Sequence, residues 1–456
     1  MNENVAAEAS GDVQVIHRNG GWCWYQGPRA IVTRDGRIVF TTISGSDGHG
    51  RDAGDLWATA HQPSTGETEH FKLHGRFERD DHDVAGLHER PDGNVLAVYG
   101  KHASDQHMRW RRTVSPGAFD RWTDEHTMDV GTGYTYSNLY RLPAESGRLY
   151  NFSRTIARNP NCTISDDAGE TWRHGWRLFR WERSDFVNDP KYSGVDGARP
   201  YVRYSSNRHD TIHFITTEDH PRAYDNSIYH GFYRDDRLHS SDGAVLSTVA
   251  EGESTSALTP QSFTRVFEGS TQRIAWTVDL CLEADALPRT LFSVRVNDGD
   301  ARGRPDAESK GDDLRYWYAR FDGKRWHAHE IAHAGTRLFP RETDYTGLAA
   351  IDPSNTNVVV ISTNAHPVSG EPLISSTDGQ RHWELWRGRT DDGGSSWSWQ
   401  ALTTNSTFDN LRPLIPSSED GVRHILWTRG KLNNFEDYDL DVCLKSEARE
   451  PADQRA

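Results

Sequence analysis

His82 and His102 stand 20 residues apart, about the interval between equivalent positions on strands of one small antiparallel sheet. Both imidazoles are therefore expected to face one cavity, where the side chain that titrates nearest neutral pH can move protons. A second constellation, Arg199-Pro-Tyr-Val-Arg-Tyr204, alternates in a way that places Arg199, Tyr201 and Arg203 on one face of a strand. Guanidinium forks match carboxylates and tyrosine offers a stacking surface, so that face suits an acidic sugar. Cys162, His213, His220 and His230 are residue types that hold zinc, although their spacing is not that of a zinc finger. Gly45-Ser-Asp-Gly-His-Gly-Arg51 is a Gly-rich loop with His49 near its tip. No helix pattern or Gly-Lys-Ser follows, which excludes a phosphate cradle.

The elements that must position these residues read as strands. Ala30–Thr33, Arg37–Thr42, Asn94–Tyr99, Thr211–Thr216, Asn357–Ser362 and His424–Trp427 are β-rich runs punctuated by Asp-Gly turns. Ser165-Asp-Asp-Ala-Gly-Glu-Thr-Trp172 and Thr390-Asp-Asp-Gly-Gly-Ser-Ser-Trp397 share the pattern Ser/Thr-x-Asp-x-Gly-x-Ser/Thr-Trp. This is the Asp-box hairpin of β-propellers: Asp accepts backbone N–H groups, Gly takes positive φ and Trp packs into the blade. A chain of 456 residues is consumed by seven blades of roughly 60 to 70 residues. The expected fold is all-β, a seven-bladed β-propeller of four-stranded antiparallel blades over 13–446. Residues 1–12 and 447–456 read as disordered tails, and 296–312 as an inserted polar loop. Because Arg154 and Cys162 shortly precede the first Asp box, that hairpin is expected to help position both.

Net charge −15 argues against nucleic acid, whose phosphates need a basic face. The chain has no long apolar run and no apolar signal-like segment at its start, so it reads as cytoplasmic with no membrane partner. It would be secreted or periplasmic if a signal has been removed. The four cysteines are scattered without a disulfide framework, and a monomer is expected.

Several blocks resemble one family of BNR-type propellers, which includes the ulvan lyases and related enzymes acting on rhamnose-glucuronate linkages. They are Gly21–Ile31, Asp80-Asp-His-Asp-Val84, Tyr99–Asp105, Thr135-Tyr-Ser-Asn138, Arg199–Tyr204, Ser227–His230, Asp344–Gly347 and Asn405–Pro413. The resemblance implies a polysaccharide lyase that breaks 4-linked uronate by β-elimination. It carries an active-site histidine pair onto His82 and His102, an acid or base onto Tyr136 and a carboxylate-neutralising role onto Arg154. Tyr134, Tyr140 and Tyr150 are rivals for the tyrosine role. Arg199, Tyr201 and His49 would bind the acidic poly- or oligosaccharide. Catalysis would need no cofactor, while some relatives' structural metal points to a zinc on Cys162, His213, His220 and His230. The family's usual Phe and acidic residue are replaced here by Tyr25 and Gly27, and a usual aromatic by Ser153, which alters the shape expected of the site.

Two other functions compete. An α-L-rhamnosidase-like hydrolase of rhamnose-glucuronate ends would use His49, the counterpart of that branch's catalytic histidine, or a pair of carboxylates. A non-catalytic sugar-binding propeller would keep the aromatics without a base. A sialidase would carry an Arg-Ile-Pro block near the N-terminus, where this chain has Pro28-Arg29-Ala30.

Overall fold

The computed structural model describes residues 13–186, 188, 198–253, 256–283, 286–296, 311–340 and 342–449. Within them the chain forms seven antiparallel sheets. The innermost strand of each opens its blade: Ala30–Val32, Gly86–Glu89, Thr135–Leu142, Val202–Ser206, Arg273–Leu282, Ala349–Ile351 and Asp409–Leu414. Six blades have four strands, and the fourth has six because Val245–Thr248 and Thr264–Phe267 extend it. The ring is closed by Gln14–His17, which pairs with the last strand, Asp437–Ala448, as the outermost strand of blade seven. That last strand runs two residues past the boundary expected from sequence. Residues 1–12 and 450–456, and most of the expected inserted loop (297–310), lie outside the described residues.

Both Asp boxes make the turn from third to fourth strand of a blade. In the first, Asp167 accepts from the Thr171 amide at 2.9 Å and Ser165 Oγ accepts from the Gly169 amide at 2.8 Å. In the second, Asp392 and Thr390 repeat these bonds to Ser396 and Gly394, each at 2.9 Å. Gly169 and Gly394 sit at φ of 94° and 99°, where any Cβ would be strained. The first box does not position Arg154: Ser165 pairs with Leu149 at one end of the blade while Arg154 pairs with Pro160 at the other.

Segment Gly21–Gly27 crosses the propeller axis and ties several blades together. The Cys23 amide donates to Asp81 O at 2.8 Å, the Trp24 indole to Thr277 O at 3.2 Å, and the Gly27 amide to Ser137 O at 3.0 Å. Trp24 packs edge-on against Trp276 and Tyr345, so the segment is an aromatic plug in the channel. Arg412 locks it to blade seven, donating to Trp22 O and to Asp81 Oδ2 at 2.5 Å, with both charged side chains fully buried. Removing one partner of a buried pair strands the other charge. Asp81→Ala is therefore expected to lower unfolding free energy by about 3 to 5 kcal/mol, read as a fall in urea midpoint at unchanged slope.

Candidate active site

At the end of the channel where the innermost strands begin, five of the residues expected from sequence converge. His82 lies in a single 3-10 turn, Asp81–Asp83, that Asp80 caps by accepting from the His82 amide at 2.9 Å. His102 follows the second strand of blade two, Val95–Tyr99. Their rings stack with centroids 4.1 Å apart and planes 13° from parallel. Asp80 bridges them, Oδ1 to His82 Nδ1 at 2.6 Å and Oδ2 to His102 Nδ1 at 2.8 Å.

The bridge divides the pair into unlike partners. Burial opposes charge on His82, but the Cys23 sulfur, Asp80, Tyr136 and Asp81 outweigh it and hold its pKa well above the ordinary range. Burial and His82 push His102 down to about 4 against the pull of Asp80, and Arg154 adds to the lowering. Despite its burial, Asp80 is held ionised by both histidines, His82 foremost. One imidazolium and one neutral imidazole share a carboxylate because two adjacent cations would repel. With Nδ1–H given to Asp80, His102 keeps its Nε2 lone pair, which lies 3.3 Å from Arg154 Nη2. His102 is also the more open of the two, 26% exposed against 4% for His82.

Arg154 ends the second strand of blade three, with its guanidinium over the rings of Tyr136 at 4.8 Å and Tyr201 at 5.3 Å. Burial opposes its charge, but Tyr136 and Tyr201 keep the guanidinium protonated. Its Nη1 is buried and finds no acceptor among the described residues. Tyr136 sits at a bulge, where the register of Thr135–Leu142 shifts and its own φ is 66°. A bulge re-aims a side chain at a backbone cost that surrounding structure must offset. Here it sends the phenol to the cluster, and its hydroxyl is buried with no partner among the described residues. Burial raises the Tyr136 pKa and Arg154 and His82 only partly counter it, so the hydroxyl stays protonated. Of the rival tyrosines, Tyr134 bonds Ser137 at 2.7 Å, Tyr140 bonds Tyr204 O at 2.9 Å and Tyr150 bonds Glu145 at 2.6 Å. Each of those hydroxyls is already engaged in the blades.

Other expectations are corrected. Arg199, Tyr201 and Arg203 do not share one face of a strand, because the strand begins only at Val202. Tyr201 joins Arg154, whereas Arg203 turns down the channel to Trp24 O, Gln26 O and Asp279. Arg199 stays on the His cluster's side, its amide donating to Asp219 at 2.8 Å and its charge acting on His220. His49 is exposed on the Gly48–Arg51 turn, apart from the buried cluster. The proposed zinc ligands do not converge. His213 and His230 face one another at 3.1 Å on neighbouring strands, and Cys162 sits in blade three, accepting from the Trp176 amide at 3.3 Å. His220 packs instead beside Tyr201 and Trp276 in the funnel wall.

Two other groups bring potential metal ligands together: Cys23, Asp81 and His82, and Asp80, His82 and His102. In the second, both imidazole Nδ1 atoms are spent on Asp80 hydrogen bonds, so the arrangement is that of a proton network. Asp80 has a place in the network that the family resemblance did not imply, although Asp two residues before His82 is a capping signal legible in the sequence. Phe435, edge-on to His82 at 5.3 Å and to His102 at 6.0 Å, had no local signal. It arrives from the final hairpin, and its carbonyl receives the Asp81 amide at 3.0 Å.

Residues 22–334 match the family described as BNR repeat-containing. The chain belongs to this family. No curated protein sequence matches it. Among solved structures, this BNR repeat-containing chain is similar to one described as a new family of polysaccharide lyase, PL25 ulvan lyase. The TM-score is 0.65 at 13% identity, covering 97% of this chain and 98% of that one. A structure of that lyase bound to -[GlcA(1-4)Rha3S]- aligns over the same shares with a TM-score of 0.63 at 13% identity. Polysaccharide lyase Uly1 aligns with a TM-score of 0.56 at 10% identity, covering 98% of this chain and 94% of that one. At these identities the likeness establishes a shared propeller fold for the family member described here.

Proposed function

We propose that this protein is a polysaccharide lyase that cleaves 4-linked uronic acid beside rhamnose by β-elimination. One observation carries the reading. Arg154 Nη1 and the Tyr136 hydroxyl are buried donors without partners among the described residues, and both stand beside a neutral His102 whose Nε2 is unprotonated. Leaving such donors unsatisfied is costly, and a uronate supplies what they lack: a carboxylate and a glycosidic oxygen.

The chemistry follows from these states. The uronate carboxylate accepts from Arg154, which draws the guanidinium away from His102 and stabilises the charge that develops as C5 loses its proton. His102 Nε2 takes that proton. The C5–H electron pair forms the C4=C5 double bond, the C4–O4 bond breaks, and the protonated Tyr136 hydroxyl delivers a proton to O4. Cationic His82 holds Asp80 and thereby the tautomer of His102. The binding of -[GlcA(1-4)Rha3S]- by a lyase of the same fold supports a sulfated or unsulfated rhamnose-uronate glycan as substrate. Because His49 stays exposed, a hydrolase that relies on it gains no support.

Incubation with ulvan and with rhamnose-glucuronate oligosaccharides should raise the ultraviolet absorbance of the unsaturated uronate. Free rhamnose released with no such rise would sink the proposal. Because catalysis needs neutral His102, activity is present above its folded pKa and lost as pH falls through it. The acid limb of kcat/KM is expected near about 4, well below an ordinary histidine limb, when rates are measured in buffers held at constant ionic strength.

A further inference from the structure

Below the aromatic plug, at the end of the channel opposite the histidine pair, lies a cavity of about 550 Å³. Its walls come from the far ends of the innermost strands of all seven blades. That volume lies within the range of small-molecule sites, about 300 to 1,000 Å³. Six arginines line it against two carboxylates, Glu89 and Asp279, a local positive excess in a chain of net charge −15. Both carboxylates are already engaged: Asp279 with Arg203 at 3.2 Å and Glu89 with Arg34 at 3.2 Å.

Several of these guanidinium groups keep a buried nitrogen unpartnered among the described residues, and Arg29 offers a terminal one. It is 9% exposed, and its Nη1 finds no acceptor among the described residues. Burial disfavours its charge, and Arg203 beside it adds to that, with Asp279 pulling only partly the other way. A buried guanidinium of this kind calls for an anion. Around it the walls are aliphatic: Ile31, Leu87, Leu280, Ile351, Leu414 and Ile415. Such a lining disfavours a heavily hydroxylated sugar or a bare inorganic ion, neither of which gains by contact with it.

We propose that this mouth is a second ligand site, for a small organic carboxylate with an apolar body, whose carboxylate accepts from Arg29. The plug separates it from the histidine cluster, so it is independent of the lyase reading.

Titration calorimetry of the full chain with benzoate, hexanoate and inorganic phosphate tests it. Benzoate or hexanoate should bind the wild type and Arg154→Met alike, and Arg29→Met should weaken that binding by at least about tenfold, the loss of one charge-assisted bond. Ile31→Trp, which narrows the cavity and keeps Arg29, should weaken it too and serves if Arg29→Met fails to fold. The proposal is overturned if neither carboxylate binds the wild type, if both variants bind as the wild type does, or if phosphate binds as tightly as the carboxylates.

Discussion

Arg154→Met should lower kcat/KM for elimination by about 10³, equivalent to roughly 4 kcal/mol of lost transition-state stabilisation. The size follows from position. The guanidinium is buried with a donor unspent among the described residues, so in this low-dielectric site it meets the developing carboxylate charge without prior reorganisation. Its neighbours are the Tyr136 and Tyr201 rings and the His102 imidazole. Removing it therefore breaks no buried ion pair, and thermal stability should hold or rise. Arg154→Lys keeps the charge and loses the planar fork, so an intermediate loss is expected. Steady-state rates from the rise in unsaturated uronate, beside melting curves for each variant, check both halves. Full activity in a folded Arg154→Met would remove Arg154 from the mechanism.

Asp80→Asn should be nearly as damaging, lowering kcat by about 10² to 10³ with a smaller change in KM. An amide cannot accept from both imidazoles in the way the carboxylate oxygens do at 2.6 and 2.8 Å. His82 also loses a negative partner that favours its cation, and His102 loses the acceptor that fixes its tautomer. Asp80 acts through the histidines and is a positioning residue. Nitrogen-15 NMR of the imidazoles separates this role from mere folding: at neutral pH the His82 signals should move from the cationic toward the neutral pattern. Unchanged His82 signals together with wild-type kcat would remove Asp80 from the network.

How much could be read in advance depended on how far each cause reaches along the chain. The Asp boxes were legible because every bond that makes them lies within a few residues, as with Ser165, Asp167 and Thr171. Strand runs such as Thr211–Thr216 were legible for the same reason. The family resemblance pointed to His82, His102, Tyr136, Arg154 and Tyr201, which the structure brings together, but it carried nothing about their protonation states. Arg203 was misplaced because alternation fixes relative faces only once a strand has begun, and this one begins at Val202. The zinc candidates fall in neighbouring blades, but Cys162 is bonded to the Trp176 amide within blade three while His213 and His230 face one another in blade four, so shared residue type did not make a shared site.

By itself, then, the sequence determined the propeller through its local turns and strand patterns and the number of blades through its length, while the residues of the site were what the family resemblance implied. Only the tertiary structure decided which histidine is neutral, that Asp80 joins the pair, that Phe435 closes over it, and that Arg29 waits at the opposite mouth. Those outcomes depend on distances across the ring, which closure by Gln14–His17 and the plug at Gly21–Gly27 impose. Burial and the proximity of charges set the protonation states, and both are properties of the closed ring that no local spacing encodes.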